Sequence, residues 1–470
     1  MMLLTRAAAD LGARLIGEDV EFTGVCSDSR KLVQGDLFVA IRGERFDGYQ
    51  FIGRAQRCGA VAAMVNADSL GENGHGSTPD LPLLVVEDTR LALGLLAESW
   101  RGMFDIPLVA ITGSNGKTTV KEMLASILRV AAGSDTAVLA TSGNLNNDIG
   151  MPHTLLQLNA EHRYAVIEMG MNHAGEIDYL TRIAAPNVAL INNASTAHLQ
   201  GLGSVDEVAR AKGEIFAGLC ASGTAIINGD DAAAPLWKAM IGAHQMLEFG
   251  LNQDSDVSGT WHWQRDGMTL QVSAPPGYFT ARLRVPGQHN AYNALAATAA
   301  AVVLNVPLET IATGLEKFAG VSGRMQRKSG ILGATLIDDT YNANPQSLRA
   351  AIDVLARISG KRLLVLGDMG ELGEQAAGMH ADIGAAARQA GIDKLFALGE
   401  LSTRTIREFG AGGRHFERIE ELQSAVAREL DANTTVLVKG SRFMKMERVV
   451  DFLDSSKNPG LNPPQEASCS

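Results

Sequence analysis

The sequence predicts an α/β protein of three domains, on three observations. Short apolar runs rich in β-branched residues recur along nearly the whole chain, alternating with stretches whose apolar residues fall at helical spacing. One run, beginning at Ile106, leads into Gly-Ser-Asn-Gly-Lys-Thr-Thr at 113–119. It is followed at once by Val120, Met123, Leu124, Ile127 and Leu128, at i, i+3, i+4, i+7 and i+8 of a helix. The length, 470 residues, corresponds to roughly two to four domains at ~100–200 residues each.

The first domain, residues 1–105, has strand-like runs at 37–41, 61–65 and 82–86, and a surface loop from Gly71 to Asp80 rich in Gly, Asn and Ser. The second, 106–322, repeats apolar runs at 164–170, 188–195 and 224–229 with helical stretches between, the pattern of a parallel sheet covered by helices. Its Ala-rich run Ala294–Val303 is too short to span a bilayer and reads as a buried helix. The third, 323–454, has runs at 334–339, 361–368, 394–399 and 434–440. Within it Asn344-Pro345 reads as an N-cap followed by proline at the first helical position, with Leu348, Ile352 and Leu355 as the buried face. Residues 455–470 read as a disordered tail.

Composition narrows the function classes. A net charge of −11 with no long basic run excludes nucleic acid as the main partner. Cys26, Cys58, Cys220 and Cys469 form no close pairs, which favours reduced thiols in the cytoplasm over a disulfide framework or a zinc site. The N-terminus lacks a basic segment and Asp10 interrupts its apolar stretch, so no signal peptide and no transmembrane segment is expected.

The glycine loop is the strongest chemical signal. Glycines let the backbone approach a ligand closely, the first-turn N–H groups of a helix have no partners within it, and the helix dipole places partial positive charge there. Gly113, Ser114, Asn115, Gly116, Lys117, Thr118 and Thr119 therefore read as a phosphate cradle, with Lys117 adding a full charge and the Thr118 hydroxyl offered to magnesium. The spacing departs from G-x-x-x-x-G-K-[ST], because Ile111 stands where the first glycine would fall.

In parallel sheets, ligands bind beyond the carboxyl ends of the strands. Glu168 closes one predicted strand and His198 follows another, so both share the loop's rim. Glu168 is either a magnesium ligand or a solvated strand-end acid, and the phosphate loop favours the metal. His198 is either structural or a ligand of metal or substrate. Asn290 and Asn293 enter the Ala-rich helix, where an amide can pair with a base edge or, at Asn290, cap the helix. Asp338 and Asp339 are adjacent on a strand and point to opposite faces, so one of them, Asp339, is expected in the cleft as a ribose acceptor. Arg324 at the domain junction either reaches phosphate or lies on the surface.

These motifs accumulate into a set that resembles the Mur ligases of peptidoglycan synthesis over nearly the whole chain. The matching segments are SDSRKLVQGDLFVAIRGERFDGYQFI at 27–52, then TGSNGKTT, NLNNDIGMP, VIEMGMNHAGEI, AHLQGLGS, AKGEIF, IDDTYNANP, LGDMGELG and VKGSR in order. The resemblance implies a small UDP-binding N-terminal α/β domain, a central P-loop-type ATPase domain with a parallel sheet, and a C-terminal Rossmann-like domain. It implies ATP-dependent ligation of D-alanyl-D-alanine to UDP-N-acetylmuramoyl-tripeptide by a cytoplasmic monomer through an acyl phosphate. By the same resemblance, Thr118 and Glu168 bind magnesium, His198 serves a second magnesium ion, and Lys212 is carbamylated. Lys117, His198 and Lys212 are the implied catalytic set. Asn293 (with Asn290), Arg324 and Asp339 meet adenine, phosphate and ribose. Ser27, Asp28, Ser29, Arg30, Arg42, Gly43, Phe46, Asp47 and Gly48 hold the UDP end, Asn147 lies near the growing peptide, and Asn342 and Asn344 are candidates for the dipeptide.

Three rivals remain. A sibling ligase adding the third, diamino residue carries an Asp-Asn-Pro-Arg motif, where this chain has GDMGELG. Folate polyglutamate synthetases lack the UDP-binding domain. A P-loop switch or binding module would hydrolyse nucleotide without ligation, and the chain has no guanine-specificity motif such as Asn-Lys-x-Asp.

Overall fold

The computed structural model describes residues 1–43, 46–70, 80–195, 203–252, 254–264 and 267–458. His198, most of the expected 71–80 loop and residues 459–470 of the expected tail lie outside the described residues. Every strand expected from the apolar runs is present.

The first domain is built on a five-stranded sheet in the order Arg14–Ile16, Leu83–Val86, Ala62–Asn66, Asp36–Val39, Gly24–Cys26. The first pairing is antiparallel and the others are parallel. Its helix Thr89–Arg101 starts where the Asp88 carboxylate accepts from the Arg90 and Leu91 N–H groups. That helix packs toward the central domain, and Leu37, Leu93 and Leu96 share one apolar cluster with Leu108, Ile167 and Ile177.

The central domain contains a nine-stranded sheet. The phosphate-loop strand Leu108–Thr112 lies between Tyr164–Glu168 and Val188–Ile191, all parallel. The chain runs from it to the edge strand Val138–Ala140, returns to its neighbour, and then continues on the other side. The loop thus sits where strand order reverses, the position at which open parallel sheets bind ligands. Helix Lys117–Ala132 covers the sheet with Val120, Met123, Leu124, Ile127 and Leu128 all fully buried. Burying each such side chain is worth about 1.5–3 kcal/mol. The Ala-rich segment forms the C-terminal part of helix Gln288–Val303, buried against the same cluster.

Two details differ from expectation. Beyond Gln245–Gly250 the sheet continues through Val257–Gln264, Gly267–Ala274 and Gly277–Leu283, the last two pairings antiparallel. The run 188–195 stops as a strand at Ile191, because Asn192 and Asn193 turn their amides to the phosphate loop.

The third domain has a six-stranded sheet in the order Gln326–Ser329, Thr335–Asp339, Thr434–Lys439, Lys361–Gly367, Lys394–Leu398, Gly413–Phe416, parallel except for the first pairing. Helix Pro345–Ala356 begins as expected. Asn344 and Ser347 form a reciprocal capping box, Pro345 is at the start, and Leu348, Ile352 and Leu355 are buried. Past Asp454, Ser455 donates its N–H to Ser329 O and Lys457 pairs with Asp451, so residues 455–458 are tied to the domain.

Candidate active site

A cleft of about 950 Å³ lies between the central and third domains. The phosphate loop forms its floor. Gly116 stands at φ 80°, and a Cβ there would meet Asn293 Oδ1 at 2.3 Å and Asn192 Nδ2 at 2.5 Å. Only glycine fits, and the close packing holds the loop's shape. Asn193 Oδ1 accepts from Asn115 N at 2.8 Å, while Asn192 Nδ2 and Asn193 Nδ2 both donate to Asn115 O. Lys117 Nζ donates to Gly113 O at 2.7 Å, spanning the loop. Burial pushes the Lys117 ammonium pKa down; the Glu168 charge opposes this and the Arg324 charge adds to it.

Glu168 is 2% exposed at the end of its strand. Its carboxylate accepts from Thr118 Oγ1 at 2.7 Å and from Asn146 Nδ2 at 2.8 Å. Arg324 crosses from the third domain to donate to Thr118 Oγ1 at 2.9 Å, with its guanidinium stacked 4.1 Å from the Tyr341 ring centre. Arg324 Nε is buried with no hydrogen-bond partner among the described residues. An uncompensated buried guanidinium donor in a cleft suits an anion.

Asp339 lines the cleft, accepting from Lys439 Nζ at 2.7 Å and from Met325 N. Asp338 instead binds Lys328 and Thr340 away from the cleft. Adjacent strand residues thus diverge as expected. Asn290 does not cap its helix; Gly287 holds that position. Asn290 Nδ2 donates to Pro286 O and its Oδ1 accepts from Asn293 Nδ2, so the pair is a fixed amide ledge on the cleft wall. Lys212 is 1% exposed on helix Val205–Gly213 and does not line the cleft. Burial, and then the Lys117 charge, push its ammonium pKa well below the ordinary lysine range.

The segment 144–153 joins the first domain to this site. Asn146 holds Glu168, Asp148 pairs with Arg90, and His153 Nε2 lies 2.8 Å from Ser27 Oγ. Asn147 is exposed, its Oδ1 accepting from Gly150 N at the start of a short helix. Asp28 pairs with Arg30, Ser29 is buried, and Arg42 lies 3.9 Å from Asp68. Gly43 N donates to Phe46 O, Phe46 is exposed, and Asp47 accepts from Tyr49 N and Ser69 Oγ at the turn leading into Gly48. These first-domain residues do not line the cleft. In the third domain, Asn342 O accepts from Lys439 Nζ, and the Asn344 amide both caps its helix and donates to Asn115 Oδ1 at 2.7 Å.

Asn146, Asn192, Asn193, Lys439, Trp261, Trp263 and His289 were not singled out from the sequence. Lys439 was within reach, because it lies within both the run 434–440 and the VKGSR motif. The asparagines had no such signal, since their partners are distant in the chain.

His289 carries a testable pH dependence. Burial holds its imidazole pKa at about 4; Asp339 and Asp353 nearby oppose that shift and Lys439 adds to it. An unfolded histidine titrates near about 6.5. Between these values the unfolded state binds a proton that the native state refuses, so stability falls as pH drops from about 6.5 to 4. The loss at pH 5 relative to pH 7 is at most about 2 kcal/mol. Urea midpoints at the two pH values should separate by less in His289→Gln than in the wild type; equal separations would exclude His289 as the source.

Fold and cleft together define a three-domain α/β enzyme whose phosphate-loop site is completed by residues of another domain. Family models for the Mur ligase family catalytic domain, the Mur ligase middle domain and the Mur ligase glutamate ligase domain match residues 21–101, 111–301 and 323–442. The chain belongs to the Mur ligase family. It is 42% identical over 447 residues to the UDP-N-acetylmuramoyl-tripeptide–D-alanyl-D-alanine ligase of Haemophilus influenzae, covering 94% of this chain and 95% of the relative. It is also 42% identical to the enzyme of that name from Escherichia coli, covering 95% and 97%. Among solved structures, MurF from Acinetobacter baumannii superposes with a TM-score of 0.87 at 36% identity, covering 95% of this chain and 97% of that one. MurF from Thermotoga maritima in complex with ADP gives 0.80 at 25% identity, covering 94% and 100%.

Proposed function

We propose that this protein joins D-alanyl-D-alanine to the terminal carboxylate of UDP-N-acetylmuramoyl-tripeptide at the expense of ATP, acting as a cytoplasmic monomer in peptidoglycan precursor synthesis. One observation carries the reading. A phosphate loop and a third-domain wall of Arg324, Asp339 and Lys439 meet in one cleft, in a chain alike over nearly its full length to ligases of that name. Among the described residues no helix is long and apolar enough to cross a membrane.

The tripeptide carboxylate attacks the γ-phosphorus, forming an acyl phosphate as ADP leaves. The dipeptide amine then attacks the acyl carbon, loses a proton and expels phosphate. Two anions must first meet, and at ~4 Å they repel by about 4 kcal/mol at an effective dielectric of 20. Lys117, Arg324 and the start of helix Lys117–Ala132 offset that repulsion. Asp339 accepts ribose hydroxyls and Asn293, held by Asn290, meets the base. The set from Ser27 to Gly48 holds the UDP end, with Asn147 nearer the peptide.

The oxygen donors of Thr118 and Glu168 fit magnesium, a hard cation that commonly takes one or two carboxylates and completes its shell with substrate phosphates and water. Magnesium there supplies neutralisation of phosphoryl charge, with His198 assigned to a second ion. Lys212, whose burial favours loss of the ammonium proton, would take up carbon dioxide as the free amine to give an anionic carbamate and a proton.

The test is phosphate release with UDP-muramoyl-tripeptide, with and without D-alanyl-D-alanine, and mass spectrometry of the product. Dipeptide-dependent release with a pentapeptide product is expected. Release that ignores the dipeptide, with no pentapeptide, would falsify the ligase reading.

A further inference from the structure

Helix Pro345–Ala356 is held to the central domain at both ends. At its start, Asn115 of the phosphate loop accepts from Asn344 Nδ2 at 2.7 Å and donates to Gln346 Oε1 at 2.9 Å. Asn115 has its backbone N–H and C=O bound within the central domain, so its side chain is a rigid post. At the helix's far end, about 18 Å away at 1.5 Å per residue, the guanidinium of Arg357 lies 5.8 Å from the centre of the Trp261 ring. Trp261 belongs to the central domain's strand Val257–Gln264, in which Trp261 and Trp263 share one partly buried face and His262 and Gln264 are exposed. The two indoles stand edge to face, 6.4 Å apart. Trp261 packs on the central apolar cluster, whereas Trp263 packs on the third domain's. Both indoles and Arg357 line the same cleft as the phosphate loop.

We infer that Trp261, Trp263 and Arg357 form a second clasp between the domains, which positions helix Pro345–Ala356 and keeps water from the acyl phosphate. The first anchor alone is a pivot at the phosphate loop, and a helix fixed at one end can swing. The second anchor removes that swing. A mixed anhydride of carboxylate and phosphate is open to hydrolysis, so the cleft must stay shut until the amine arrives. The residues act through domain position and touch no reacting atom. The inference rests on the ligase reading above.

The readout is the leak: ADP formed without a peptide bond, measured on the full-length enzyme with ATP and UDP-muramoyl-tripeptide and compared with pentapeptide yield when dipeptide is added. Arg357 is exposed, so Arg357→Ala should fold normally. The leak should rise about two- to fivefold, matching the usual strength of an exposed cation–π contact. Arg357→Lys, which retains the cation, should restore tight coupling. Trp263→Ala, which strips interdomain apolar contact, should leak about tenfold more than wild type. A leak unchanged in both Arg357→Ala and Trp263→Ala overturns the clasp, as does loss of ADP formation in parallel with ligation. A wild-type enzyme that yields no pentapeptide would instead overturn the functional reading.

Discussion

Lys117→Ala should abolish ligation while leaving the fold intact. Lys117 is the first residue of helix Lys117–Ala132, and its ammonium reaches back to Gly113 O across the loop. Alanine is the most favourable helix residue, so the substitution does not weaken the helix. It also removes a cation that burial disfavours in the free protein. On the proposed reading, what is lost is a charge that faces the phosphates. At about 4 Å and an effective dielectric of 20, that charge is worth about 4 kcal/mol, or about a thousandfold in kcat/KM. The melting temperature should stay within a few degrees of wild type while phosphate release falls to background. Normal turnover would refute the assignment of Gly113–Thr119 to phosphate.

The fold was legible wherever an element's own residues carried its pattern. The strands of the parallel sheets are continuous apolar runs because both faces are covered, and helix Pro345–Ala356 announces itself through Asn344 and Pro345. The antiparallel extension was not read. In Val257–Gln264 the outward positions are Thr260, His262 and Gln264 and the inward ones include tryptophans, an alternation with little aliphatic content. One exposed face gives a period of two and no continuous run. The same limit explains the strand that stops at Ile191. Asn192 and Asn193 follow apolar residues without a break in the run, and only the phosphate loop, about 80 positions away, gives them a reason to leave the sheet.

The cleft was legible in its chemistry and less so in its supports. Ser114–Thr119, Glu168, Arg324 and Asp339 are residue types in positions that suit phosphate, metal and ribose, and the folded chain brings them to one cavity. The supports take their meaning from tertiary contacts. Asn146 and Asn147 are adjacent in sequence, yet Asn146 holds Glu168 and Asn147 starts a helix. Asn344 was named for the dipeptide, yet both ends of its amide are already engaged, one in the helix cap and one with Asn115. A polar residue's type states what it can bind; its partners decide which of those bonds remain free.

Lys212→Ala should be inactive and partly rescued by short carboxylic acids. Nothing in the spacing of EVARAKGEIF distinguishes this lysine from a solvated one, but in the fold it is 1% exposed, with the Lys117 charge close enough to disfavour its own. An ammonium there would face desolvation and like-charge repulsion together. A neutral amine escapes both and is the form that reacts with carbon dioxide. On the proposed reading, a carbamate there would carry negative charge toward the site and so reverse the sign of the interaction with Lys117. Removing such a preorganised charge costs about 10²–10³ in kcat. Truncation to alanine also leaves a cavity, with a stability loss of about 2–5 kcal/mol. Acetate or formate can enter that space and return a carboxylate to the place of the carbamate. Activity recovered by these acids, in a variant shown to be folded by its thermal melt, is the expected result. Wild-type-like turnover in Lys212→Ala removes the claim altogether. A folded, inactive variant that no small acid rescues would assign the role to the amine itself, because an amine's absence is not repaired by a carboxylate.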